Sequence, residues 1–198
     1  MDFAGFRTEL KARGYNYLPE KRLDLFINRA YTEFCLRFPW PYLEHQTDTV
    51  ELPYVPDPAL RAMIWLVDNN TEVSLDGIDP REVRRLDPNG AATGTPVAWY
   101  LQGDTLKFFP ANPGQTATFR YIQIPPALVN PTDLPLVPAE YALYLVDRAV
   151  VEALKDTDEL QASMESRLNW EQEVDRLAAN TLRNNYQNNA TIEVSRGY

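Results

Sequence analysis

A single cysteine, Cys35, and a single histidine, His45, stand in the 198 residues of this chain. One cysteine excludes an internal disulfide and any cysteine-based zinc cluster. One histidine leaves only carboxylates to hold a metal, and no metal site or cofactor is expected. Long apolar runs are missing too: none approaches the roughly 18 residues of a membrane span, so no membrane partner is expected. Asp2, Arg7, Glu9 and Lys11 interrupt the N-terminal apolar residues, and a secretion signal is not expected. Positive charge is in deficit. The formal net charge is −9, which repels phosphates and excludes wrapping of nucleic acid by the general surface. Glycine is sparse, and the nearest approach to a glycine-rich loop, residues 90–96 (GAATGTP), lacks both the Gly-Lys-Ser/Thr ending of a phosphate loop and the GxGxxG spacing. It reads as a linker before a strand.

What the chain does have is proline, aromatics and two different periodicities. Phe3, Phe6 and Leu10, followed by Gly14, predict a short amphipathic helix with a glycine stop. A second helix starts near Pro19 and carries the stripe Leu23, Phe26, Ile27, Ala30, Tyr31, Phe34 and Phe38. Pro39 and Pro41 end it. Most of the 16 prolines then fall between Pro53 and Pro138, in a region of short alternating runs. Residues 49–52, 60–67, 71–75, 97–101, 105–109 and 116–124 read as five or six mostly antiparallel strands. Gln102-Gly103-Asp104 forms a hairpin turn, and residues 79–86 a helical turn. After Pro138 the helical period returns. Leu143, Val146, Ala149, Val150, Ala153 and Leu154 cover so wide an arc that the helix should be buried on more than one side. Leu160, Met164, Leu168, Val174, Leu177 and Ala178 mark a longer helix behind it.

The expected fold is therefore α+β: a four-helix base built from both ends of the chain, a β-rich insert forming a small antiparallel sandwich or half-barrel, and an extended C-terminal arm. The expected divisions are 1–45, 46–126, 127–185 and 186–198. The last segment begins asparagine-rich and holds one β-prone patch, Thr191, Ile192, Glu193 and Val194. It reads equally as a frayed terminus or as an arm that orders on a partner.

Chemistry is hard to find. Cys35 sits mid-helix between Phe34 and Leu36, where a thiol is usually a small core residue. His45 beside Glu44 reads as a surface histidine. Asp76-Gly77-Ile78-Asp79 lacks the spacing of a calcium loop and reads as a turn and helix cap. Glu159, Glu165, Glu171 and Glu173 read as the solvated face of a helix, balanced by Arg167 and Arg176. Four tryptophans and 11 tyrosines, with no catalytic set, favour a structural or binding role over an enzyme.

The order of features is itself informative. INRAYTEFCLRFPWPYLE, from Ile27, resembles the first long helix and following tryptophan junction of head-to-tail adaptor proteins of tailed bacteriophages. ATGTPVAWYLQGDTLKFFPANPGQTATFRYIQIPPAL looks like their middle hairpin, and LPLVPAEYALYLVDRAVVEAL is similar to the helix that follows. The resemblance, carried by the order of these features, extends over residues 18–182. The resemblance implies a structural virion protein at the head–tail junction, made in the host cytoplasm. It implies a ring, usually of twelve copies, beneath the portal protein. Such a ring extends a DNA channel without binding DNA specifically and docks the tail nozzle or tail tube, in some cases tail fibres.

In that setting Pro39, Trp40 and Pro41 are expected to form a stiff structural joint. Leu143, Val146, Val150 and Leu154 are expected at the subunit interface. Thr191, Ile192, Glu193, Val194, Arg196 and Tyr198 are expected to form an arm that binds the portal or a neighbouring subunit. Two other classes stay open: a different head-closure or tail-terminator virion protein, and a small metal-dependent hydrolase using carboxylates alone.

Overall fold

The computed structural model describes residues 1–111 and 113–194, with side chains described through residue 181 and at Arg183. The chain divides into two compact units: Met1–Tyr42 with Ala127–Tyr198, and Leu43–Pro126. The architecture is α+β.

The first unit is helical. α1 (Phe3–Leu10) is capped by the Asp2 carboxylate, which accepts the Gly5 N–H at 2.8 Å. It runs into a π-helical stretch, Lys11–Tyr15, where Gly14 at φ 103° breaks the helical path. α2 (Glu20–Arg37) starts after Pro19 and buries Leu23, Phe26, Ile27, Ala30, Tyr31, Phe34 and Cys35. Its three- and four-residue spacing puts all of them on one side. Phe38, expected in that stripe, is instead the C-cap residue with extended backbone and is half-buried. Pro39 restricts the residue before it to that conformation.

α4 (Ala142–Asp156) and α5 (Leu160–Val194) form an antiparallel pair. The Trp170 indole N–H donates to the Tyr144 carbonyl at 2.7 Å, and the Ser163 hydroxyl to the Val151 carbonyl at 3.2 Å. α4 lies between α2 and α5, with α1 also against it. Of its wide apolar arc, Val146, Ala149 and Ala153 are buried within the chain. Among the described side chains of α5 the buried ones are Ser163, Trp170, Val174 and Ala178, whereas Leu160, Met164 and Leu168 are exposed.

α5 also corrects the expected end of the chain. The helix continues to Val194, so the part of the proposed arm from 186 to 194 is helical and Thr191, Ile192, Glu193 and Val194 are not a strand. Asparagine and β-branched residues are poor helix formers by only a fraction of a kcal/mol each, and no proline or glycine interrupts the helix before Gly197. Extending a helix already nucleated on α4 therefore costs little. Arg196 and Tyr198 lie outside the described residues.

The second unit holds the strands β1 (Glu44–Glu51), β2 (Leu60–Asp68), β3 (Val73–Ser74), β4 (Asp76–Gly77), β5 (Ala98–Gln102), β6 (Thr105–Phe109) and β7 (Thr116–Gln123), with α3 (Pro80–Leu86) between β4 and β5. They form a four-stranded sheet, β1-β7-β2-β3, and a three-stranded sheet, β4-β5-β6. All pairs are antiparallel except β4 with β5. The core draws on both sheets: Leu66, Ala117, Phe119 and Tyr121 from the first, Leu106 and Phe108 from the second, and Leu52 and Leu75 beside them.

The strand expected over 71–75 shrinks to two residues. The Asp68 carboxylate accepts the Asn70 N–H at 3.1 Å and the Thr71 hydroxyl at 2.7 Å, and Glu72 takes φ 57°, so the turn consumes the start of the run. Gly77 is required at its position. A Cβ there would sit 2.8 Å from the Trp99 ring, whose indole N–H is fixed on the Leu75 carbonyl at 3.1 Å.

Candidate interaction surfaces

The densest constellation in the helical unit is aromatic. The Trp40 side chain is fully buried. It stacks on Phe34 at 5.0 Å between centroids and 9° between planes, and on Tyr42 at 5.6 Å and 15°. Phe38 meets it edge-on at 5.5 Å, and Tyr141 approaches at 6.4 Å. The indole N–H donates to the Phe34 carbonyl at 2.8 Å. That carbonyl lies in the last turn of α2, where an intrahelical partner is missing. Pro39 and Pro41 fold the chain back so that Trp40 caps the helix it follows. The Tyr42 hydroxyl is buried among these rings without a hydrogen-bond partner, and burial pushes its pKa well above the usual phenol value.

A second feature was not legible as a site. Asn28 sits in the middle of α2, and its side chain pairs with the backbone of Leu128. The amide donates to the Leu128 carbonyl at 3.0 Å, while its oxygen accepts the Leu128 N–H at 2.8 Å. One turn further on, the Tyr31 hydroxyl accepts the Leu136 N–H at 3.1 Å. Burial pushes the Tyr31 pKa up to about 12, against the opposing effect of that hydrogen bond. These two side chains clamp the returning segment onto α2. An asparagine at a helix centre is a weak signal of such a role, because it is unfavourable there without a partner.

A third feature is ionic. Arg148 is 3% exposed and donates to Glu152 at 2.8 Å and to Glu33, with its guanidinium 5.6 Å from the Trp170 ring centre. Lys155 adds a bond to Glu152 at 2.7 Å, and Arg29 approaches it at 3.4 Å. Burial opposes the Glu152 carboxylate, yet its hydrogen bonds from Lys155 and Arg148 hold its pKa below the ordinary value. This network ties α4 to α2 and has no open catalytic geometry.

The α4 residues expected at a subunit interface are divided by the structure. Val146 is fully buried in the chain's own core and has no surface to offer a second copy. Val150 and Leu154 are half-buried, and Leu143 is 54% exposed. Cys35 is buried. His45 lies on β1 with its ring 5.3 Å from that of Tyr121. The 90–96 linker is held by the Asp87 carboxylate, which accepts the N–H groups of Ala92 at 2.8 Å and Ala91 at 3.0 Å; these bonds keep the Asp87 pKa low. Among the described residues no group of three or more His, Cys, Asp or Glu side chains is placed to hold a metal ion, and no helix is long and apolar enough to cross a membrane.

The helical unit is held by buried aromatic and ionic ties. A family model described as SU10 adaptor protein matches residues 1–194. The chain belongs to the SU10 adaptor protein family. It is a structural phage adaptor protein and a component of the virion. No curated protein matches the chain. For an adaptor, the Trp40 cluster and the Asn28 and Tyr31 clamps have an evident value. The first closes the C-terminal end of α2, and the second fixes residues 128–136 along the middle of that helix.

Proposed function

We propose that this adaptor forms a closed ring, of twelve copies on the family resemblance, seated beneath the portal protein, where it prolongs the DNA channel and docks the tail nozzle or tube. The family match over residues 1–194 carries this reading. Pro39, Trp40 and Pro41 serve as a stiff joint in it. The segment 186–198 attaches the ring to the portal or to a neighbour. Since that segment is helical as far as Val194, a helix laid against a partner groove replaces the extended arm expected from the sequence.

Imaging of head–tail particles tests the proposal. A closed ring in contact with the portal is expected, and a stoichiometry below six per portal ring overturns it. With a chain ending at residue 185, attachment to portal rings should fall sharply while the melting temperature barely moves; normal attachment removes the arm from the proposal.

The channel imposes an electrostatic condition. Twelve copies at −9 each carry roughly −108, a field that keeps passing DNA from adhering. Purified adaptor is therefore expected to show negligible affinity for duplex DNA at roughly 0.15 M salt. Tight, salt-sensitive binding under those conditions contradicts a non-binding channel wall.

A further inference from the structure

α4 is the middle member of its helical layer, which leaves α2 and α5 to present their outer sides. The outer side of α2 carries Leu25, Arg29, Thr32 and Leu36, spaced four, three and four residues apart and therefore on one face. Leu25 is 42% exposed, and these residues line an open groove whose remaining wall includes Glu33 and Glu152. On α5, Leu160, Met164 and Leu168 recur every fourth residue and are 58%, 66% and 58% exposed. A helical position every four residues that is apolar and mostly solvated gains nothing within the chain.

Once charges paired within the chain are set aside, among them Arg148–Glu33 and Arg167–Glu171, the charges left around the two stripes are opposite in sign. Lys21, Arg22 and Arg29 accompany the α2 stripe. Arg22 pairs with Asp156 and Arg29 with Glu152 at 3.4 Å, while Lys21 is exposed and makes no ion pair among the described residues. Asp158 and Glu159 precede the α5 stripe and Glu165 flanks it. All three are exposed or nearly so and make no ion pair among the described residues. The stripes are also similar in length. Eleven residues separate Leu25 from Leu36 and eight separate Leu160 from Leu168, roughly 16 and 12 Å of helix.

We propose that the occupant of each stripe is a second copy of this chain: α5 of one subunit lies along α2 of the next. Leu160, Met164 and Leu168 then cover Leu25, and Glu159 and Glu165 face Lys21 and Arg29. The two surfaces belong to different elements of one chain, so the contact is head-to-tail. It generates a closed ring when the rotation between copies closes and a filament when it does not. This inference rests on the ring proposed above and specifies which helices make its seam.

Engineered cysteines test it in assembled head–tail particles. A chain carrying both Leu25→Cys and Met164→Cys should, on oxidation, give a ladder of covalent oligomers, with Cys35 silent because it is buried. Each single variant should give none. Dimers from a single variant indicate a symmetric contact and overturn the seam. A ring seen by imaging without a ladder also overturns it and leaves the ring reading intact. Absence of a ring removes both.

Charge reversal gives an independent readout. Lys21→Glu should reduce incorporation into particles severalfold, and adding Glu159→Lys to that chain should restore it. Normal incorporation of the first variant, or failure of the rescue, counts against the seam.

Discussion

Replacing Trp40 with alanine is expected to destabilise the helical unit by about 3–5 kcal/mol, the range for deleting a fully buried tryptophan. For a chain of this size that corresponds to a drop in melting temperature on the order of 10 °C, followed by the helical signal in circular dichroism. Three losses combine. The transfer energy of the indole goes, and a cavity opens between Phe34, Tyr42 and Tyr141. The Phe34 carbonyl also loses the N–H that satisfies it at the end of α2. Trp40→Phe keeps part of the stacking and loses only the hydrogen bond and some volume, so it should fall between wild type and alanine. An unchanged melting temperature with loss of attachment to the portal would instead make Trp40 a partner-facing anchor.

This result bears on why the helix–proline–tryptophan junction could be read in the sequence. Period 3.6 in residues 23–34, two prolines at 39 and 41, and period 2 in the runs that follow are local signals, and they located α2, its end and most of the strands. The hairpin of β5 and β6 was legible for the same reason, since Gly103 supplies the positive φ its turn needs. Other features depend on partners distant in sequence. Nothing near Asn28 announces that it will bond the backbone of Leu128, 100 positions away. The arc on α4 reads as burial on more than one side; α2 and α5 both pack against this helix and Val146, Ala149 and Ala153 are buried, while Leu143 stays exposed and Val150 and Leu154 half-buried.

Apolar pattern alone also could not say which leucines of α5 face inward. Leu160, Met164 and Leu168 repeat as regularly as Trp170, Val174 and Ala178. Only the register with α4, set by Trp170 on Tyr144 and Ser163 on Val151, decides between them. The same register turns the first set outward and makes it available for assembly. At the C-terminus the asparagine-rich composition suggested an extended arm. The helix shows that low propensity without a breaker is insufficient to end an element that tertiary packing has begun.

Arg148 is expected to give the second large effect. Arg148→Ala should cost about 3–5 kcal/mol, because it strips a nearly buried carboxylate of one partner and leaves a hole against Trp170. Lys155 remains bonded to Glu152, which favours the lower end of that range. The informative comparison is the double replacement Arg148→Met with Glu152→Leu. It removes both charges of that pair, roughly keeps the volume, eliminates the Arg148 Nε–H that has no partner and leaves Glu33, whose side chain is one-third exposed, to solvent. Buried ion pairs repay their desolvation poorly, so the double variant should be more stable than either single one and close to wild type.

The pH dependence follows from the same network. Glu152 has a folded pKa below its ordinary 4.5, so its contribution is fully present above the unfolded value and is lost as pH falls through the folded value. Wild type should therefore lose stability progressively below about pH 4.5, with a steeper slope than the double variant, in which this carboxylate is absent. Equal slopes in the two proteins would show that Glu152 is not coupled to folding through its charge.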